Sequence, residues 1–184
     1  QGTGVGFPGE SSGYLPNHRR WKDIERVTFA YGYGLTATPL QLAAAYLTIA
    51  TGGLRREVSL LNSGGVSETR LYSNHVAHQV KQMLERVVTE GTGTKAAIDS
   101  YQVAGKTGTV RKVGKEGYQD TQHIAFFAGM TPVREPRLVG IVLINEPKSK
   151  AYGGGSIAAP VFSRVMEGAL RLLNVPPNDF EEAA

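Results

Sequence analysis

The 184-residue sequence contains no cysteine. That excludes disulfides, thiolate nucleophiles and cysteine-bound zinc, and leaves the redox compartment open. No apolar stretch approaches the ~18 residues of a membrane span. Net charge is +4, yet no run of five or more basic residues accompanies it. The scattered Lys and Arg therefore read as a solvated surface, and no nucleic-acid partner is expected. Internal repeats and low-complexity tracts are also missing. No signal peptide is recognisable, and the chain opens on Gln1-Gly2-Thr3-Gly4, not on methionine. That glycine-rich start reads as a cut through a longer protein, so a C-terminal piece is expected. What remains is 41% hydrophobic and 20% charged residues, slightly below the usual globular shares but enough for one domain with a core, or most of a larger one.

Residues 1–20 are punctuated by Gly2, Gly4, Gly6, Pro8, Gly9, Gly13 and Pro16, too often for a helix or strand. Glu10, His18, Arg19 and Arg20 are read as solvated charges on this loop. Phe29 to Leu35 alternates aromatics and glycines, which predicts a short extended piece with close backbone approach. Thr38-Pro39-Leu40-Gln41 then opens a helix: a capping threonine, proline at the first helical position and glutamine where a capping-box partner belongs. Gly52-Gly53 stops it.

Residues 54–72 predict short extended pieces around a Ser63-Gly64-Gly65 turn. A second helix runs from Ser73 to Glu90-Gly91, with Val76, Val80, Met83, Leu84, Val87 and Val88 as its stripe. His75 and His78 on it could share a face as metal ligands. Without a third ligand they read as solvent-facing, and neither metal nor cofactor is expected.

The second half carries the chemistry. Val103 to Thr109 reads as a strand offering one cation, two hydroxyls and two glycines. Lys112 to Gln122 suits a long hairpin loop, and residues 123–130 form a strand apolar on both faces. Pro132 and Pro136 bound a turn too short for a parallel crossover, so Arg137 to Asn145 should return antiparallel. A last helix carries Val161, Val165, Met166, Ala169, Leu172 and Leu173, with Pro160 in its first turn and Pro176-Pro177 beyond its end. The fold class expected is α+β, a mostly antiparallel sheet between helical layers.

In order, Tyr31-Gly32-Tyr33-Gly34-Leu35, Thr38-Pro39-Leu40-Gln41-Leu42-Ala43, Gly91-Thr92-Gly93-Thr94 and Lys106-Thr107-Gly108-Thr109 resemble a class B penicillin-binding protein. The likeness is greatest to the division-specific transpeptidases of Gram-negative bacteria. Gly6-Phe7-Pro8-Gly9-Glu10 and Tyr152-Gly153-Gly154 agree, and the resemblance covers about residues 3–177. It implies a penicillin-binding, β-lactamase-like fold, incomplete here: residues 1–177 as the C-terminal part of a transpeptidase domain and 178–184 as a tail. It implies acyl transfer by a serine in Ser-x-x-Lys to cross-link peptidoglycan stems ending in D-Ala-D-Ala, with β-lactams as trapping mimics. It also implies a periplasmic domain anchored in the inner membrane, and cell-division partners met through regions absent from this sequence.

Neither Ser-x-x-Lys nor the family's Ser-x-Asn occurs in the sequence. Both are expected upstream, so no nucleophile is assigned in this chain, and the chain alone is expected to be inactive. Thr92-Gly93-Thr94-Lys95 reads as a turn that only echoes the serine motif.

Other roles carry over from the resemblance. Lys106 supplies charge for proton transfer or for attracting the substrate carboxylate, with an ordinary surface lysine as the alternative. Thr107 and Thr109 hold that carboxylate, unless they only reflect strand propensity. Gly108 lets the substrate lie along the strand edge, and the Thr109 backbone N–H donates to the oxyanion. Arg111 is a basic residue near the carboxylate. Tyr33, Tyr152 and His123 are either pocket wall or partly buried packing. His123 stands where relatives often have tyrosine, and Gly153 where they often have a second aromatic. A D,D-carboxypeptidase or class A enzyme, and a penicillin-sensing binding module, are the competing classes.

Overall fold

A computed structural model describes residues 2–17, 19, 21–61, 67–114, 117–148 and 152–177. His18, Arg20, the Ser63-Gly64-Gly65 turn and the tail at 178–184 lie outside the described residues. The elements in chain order are α1 (Asp23–Ala30), α2 (Pro39–Ala50), β1 (Leu54–Arg56), β2 (Glu68–Arg70), α3 (Asn74–Thr89), β3 (Ala104–Gly114), β4 (Gly117–Thr131), β5 (Leu138–Asn145) and α4 (Gly154–Leu172).

The antiparallel sheet β3-β4-β5 is the centre of the fold, and β1-β2 form a small separate ribbon. Cross-strand partners share a face, so the register sorts the side chains. Gly105, Thr107 and Thr109 lie with Ala125, Phe127 and Gly129 on one face; Ala104, Lys106 and Gly108 lie with Phe126, Ala128 and Met130 on the other. The Phe127 ring meets Phe162 of α4 at 4.8 Å, which places α4 on the first face. On the second face Ala104, Met130 and Val133 pack against Tyr46 and Ile49 of α2 and Leu84 of α3. Burial there pushes the Tyr46 hydroxyl up to about 12. The expected sheet between helical layers is therefore present.

Local chemistry explains most of the elements. The Thr38 hydroxyl accepts from the Gln41 N–H at 3.1 Å while the Gln41 amide oxygen accepts from the Thr38 N–H at 2.8 Å. This reciprocal cap satisfies donors that a helix start leaves open. Gly52 and Gly53, at φ +71° and +91°, end α2 in a conformation that few side chains tolerate. Ser73 caps α3 through the Val76 N–H. His75 and His78 are exposed on that helix.

Several expectations need correction. Phe29 and Ala30 are not extended: they close α1, whose first turn is capped by the Glu25 carboxylate accepting from the Lys22 N–H at 2.7 Å. Only the segment after it, opened by Gly32 and Gly34 at positive φ, leaves the helix. Lys112 to Gln122 is not a long loop either, since β3 and β4 stay paired to Gly114↔Gly117. β5 pairs only with Ile124–Thr131, so among the described residues no third strand lies beside this outer ribbon, which accords with its polar sequence.

The helix stripes are met only in part. On α3 Val88 is buried and Val80, Leu84 and Val87 are partly buried as expected, but Ala77 is buried too and Val76 and Met83 are exposed. On α4 Met166 is buried and Val161 and Ala169 are partly buried, but Gly154, Ala158, Ala159, Phe162 and Leu170 are buried as well and Val165, Leu172 and Leu173 are exposed. Pro160 lies inside α4, not in its first turn. Its missing N–H costs one bond, but the N–H groups of Ser156 and Ile157 both reach the Gly153 carbonyl at 3.0 Å and start the helix earlier.

Candidate active site

Strand β3 is the border of its sheet, and among the described residues no strand pairs with its outer edge. An open edge presents backbone donors and acceptors to an incoming extended chain. Over this border stands the start of α4. An added Cβ on Gly154 would lie 2.3 Å from the Phe126 carbonyl oxygen and 2.5 Å from that of Gly108. Both obstacles are backbone, so only glycine lets the helix come this close.

The Gly154 N–H, the first of α4, donates to the Thr109 Oγ1 at 3.1 Å. The positive end of the helix dipole is thereby aimed at a hydroxyl on the strand. Two residues back, Thr107 Oγ1 lies 2.7 Å from Thr92 Oγ1. Lys106 projects from the other face, but its ammonium folds over the edge. It donates to the Thr107 carbonyl at 3.0 Å and to the Thr107 Oγ1 at 3.3 Å. Thr107 and Thr109 thus line one groove of about 470 Å³ together with Thr92, Lys95, Gly153 and Ser156 among others, and the Lys106 ammonium, outside that lining, reaches it only through the Thr107 hydroxyl. A larger cavity of about 590 Å³ lies between the end of α3, residues 97–103 and Arg134. None of the Lys-Thr-Gly-Thr residues lines it.

His123 and Arg111 face each other across β3 and β4. His123 is buried, and its ring stacks on Tyr152 at 4.5 Å and 23°. Tyr152 is itself about half exposed and leads directly into Gly153, so the stack stands beside the groove. Tyr33 is placed elsewhere, on the segment between α1 and α2, with its ring edge-on to Tyr31 at 5.5 Å. The structure brings Arg111, His123 and Tyr152 to the β3 wall and leaves Tyr33 in the N-terminal segment. Gly108 has an internal reason to be glycine besides any substrate: a Cβ there would sit 2.0 Å from the Phe126 ring.

Sequence reasoning gave the turn from Gly91 to Lys95 no part in the site. It is indeed a turn, continuing into a 3₁₀ segment at Thr94–Ala96, but it forms the far side of the groove. A signal existed, because Gly91-Thr92-Gly93-Thr94 was among the resembling motifs. Nothing local predicts that its first threonine meets Thr107. Among the described residues no group of three or more His, Asp or Glu side chains could hold a metal ion. No helix among them is long and apolar enough to cross a membrane.

Comparison with known proteins shows what the chain as a whole is similar to. Residues 1–167 fit the family described as penicillin binding protein transpeptidase domain. The chain is 43% identical over 178 residues to peptidoglycan D,D-transpeptidase FtsI of Escherichia coli, covering 96% of this chain and 30% of that protein. It is 40% identical over 174 residues to the probable peptidoglycan D,D-transpeptidase PenA of Neisseria meningitidis, covering 94% and 30%. Among solved structures it is similar to the transpeptidase domain of Burkholderia pseudomallei penicillin-binding protein 3 in its apo form. The TM-score there is 0.88 at 40% identity, over 96% of this chain and 56% of that one. The chain thus spans about a third of the length of the curated relatives it matches. On its sequence and its fold, it belongs to the penicillin-binding protein transpeptidase domain family.

Proposed function

We propose that the protein carrying this chain is a peptidoglycan D,D-transpeptidase of septal wall synthesis, and that the groove beside β3 receives the carboxyl end of a stem peptide. The observation that carries this is the open edge of β3, where two threonine hydroxyls and an ammonium converge under a helix N-terminus. A D-Ala-D-Ala end laid along that edge pairs backbone to backbone, and its carboxylate meets Thr107 and Thr109. Hydrogen bonds to a charged group are worth about 1.5–3 kcal/mol each.

In the reaction a serine oxygen, contributed by residues outside this sequence, attacks the penultimate D-Ala carbonyl. The backbone N–H of Thr109 is one donor to the oxyanion, and Lys106 assists proton transfer from the serine. The bond to the terminal D-Ala breaks and its nitrogen leaves protonated. An amine of a second stem then takes the acyl group and returns the proton to the serine. A β-lactam follows the first half and stalls as the acyl-enzyme. The periplasmic setting, the membrane anchor and division partners belong to the parts of the protein beyond this chain.

Labelling with a fluorescent penicillin tests the assignment. The full protein becomes covalently labelled at one serine, and residues 1–184 alone stay unlabelled. Labelling of the isolated chain would refute it. Hydrolysis of the stem without transfer to an acceptor amine would point instead to a carboxypeptidase.

A further inference from the structure

Thr92 makes no backbone pairing with β3, yet its hydroxyl is 2.7 Å from that of Thr107. A hydroxyl has one proton to give and two lone pairs to fill. The Lys106 ammonium, which can only donate, fills one lone pair of Thr107 Oγ1 at 3.3 Å. If Thr92 donates as well, both lone pairs are taken and the single Thr107 proton is left for an acceptor in the groove. If Thr107 donates to Thr92 instead, that proton is spent inside the protein. The neighbouring hydroxyl obeys the same pattern, because Thr109 Oγ1 accepts from the fixed Gly154 N–H at 3.1 Å and keeps its own proton free. Both donors lie on rigid elements: the start of α4, and a turn anchored where Gly93 N–H meets the Val87 carbonyl at 2.8 Å.

We propose that Thr92 is a positioning residue that polarises the groove toward anions, donating to Thr107 so that the Thr107 proton faces the substrate carboxylate. This rests on the acyl-transfer assignment above and names how its carboxylate is recognised. An anion arriving in the groove makes this orientation the favoured one, and the ammonium of Lys106 reinforces it by keeping the second lone pair occupied. Thr92 itself touches no reacting atom. Its effect belongs in binding, and only in ligands that carry the charge.

The test uses the full protein with a penicillin and its methyl ester, and counts folded protein by the fraction labelled at saturation. Thr92→Val, which keeps the shape and removes the hydroxyl, raises the saturation constant for the free acid about tenfold, the lower end for one hydrogen bond to a charged group. It leaves the limiting acylation rate and the reaction with the ester within about twofold. Because Thr92 acts through Thr107, adding Thr92→Val to Thr107→Val changes nothing further. Equal losses for acid and ester, or multiplied losses in the double variant, overturn the inference and leave the acyl-transfer assignment standing. A native protein that no penicillin labels overturns both.

Discussion

Two regions of this chain carry residues shared with the family, and they are built differently. The wall formed by β3, β4 and α4 is held by long-range contacts: Phe127 and Phe162 are fully buried, and Thr109 meets Gly154 across 45 residues. The segment from Gly2 to Thr36 is held mainly by polar bonds at partly exposed positions, with Gln41 of α2 donating to the Ser12 carbonyl at 2.9 Å. The Thr3 N–H and hydroxyl both donate to the Glu10 carboxylate, at 2.7 and 2.6 Å, and hold its carboxyl below the usual range. Trp21 donates to the Pro16 carbonyl and sets its ring tilted against Phe29 at 4.4 Å, and Tyr14 pairs with Thr36. No residue of α1 is buried, and Ile24 is 67% exposed. A shared motif therefore does not mark where a fold's stability lies; the contacts around it do.

That contrast can be broken by substitution. The largest effect belongs to the groove: in the full protein, Lys106→Ala lowers the acylation rate by about 10²–10⁴, the usual worth of a positioned proton-transfer group. Because Lys106 is exposed, its thermal midpoint stays near the native value. Stopped-flow acylation beside thermal melting checks both halves, and an unchanged rate would remove Lys106 from the chemistry.

Next comes the core. Phe127→Ala destabilises by about 3–5 kcal/mol, since its ring has no solvent to collapse toward. Ile24→Ala, on the exposed face of α1, stays within about 0.5 kcal/mol. Urea midpoints of the two variants measured side by side would erase the distinction if they matched. Between these two stands Gly154→Ala, about 1–3 kcal/mol from pushing α4 off two carbonyls. It acts at the groove as well, and penicillin affinity should fall with stability.

Much of the fold was legible. Caps at Thr38 and Ser73, glycine stops and apolar periodicity are local signals, and α2, α3 and the three sheet strands follow from them. The failures share one cause. Val165 and Leu172 satisfy a helical period as well as Phe162 and Leu170 do, and only the sheet beneath α4 selects the phase. The stretch before His123 looks like loop because its polar side chains are judged alone, while the backbone pairs again beyond an irregularity, at Val113↔Tyr118 and Gly114↔Gly117. α1 was hidden because Phe29 begins an alternation with Tyr31 and Tyr33 that mimics a strand, and because Ile24 and Val27 face outward. At the site, Lys106, Thr107 and Thr109 were readable as a strand motif, whereas Thr92 was set aside as turn.

The chain's own residues determined its helices, its strands and the family to which it belongs, because capping, periodicity and a motif are properties of neighbours a few positions apart. Only the folded arrangement decided which hydroxyls share a proton and which helix end faces them. Thr92 and Thr107 are 15 residues apart and Gly154 is 45 from Thr109. Distances of a few ångströms between such positions are set by how helices and sheet pack, which no local pattern encodes.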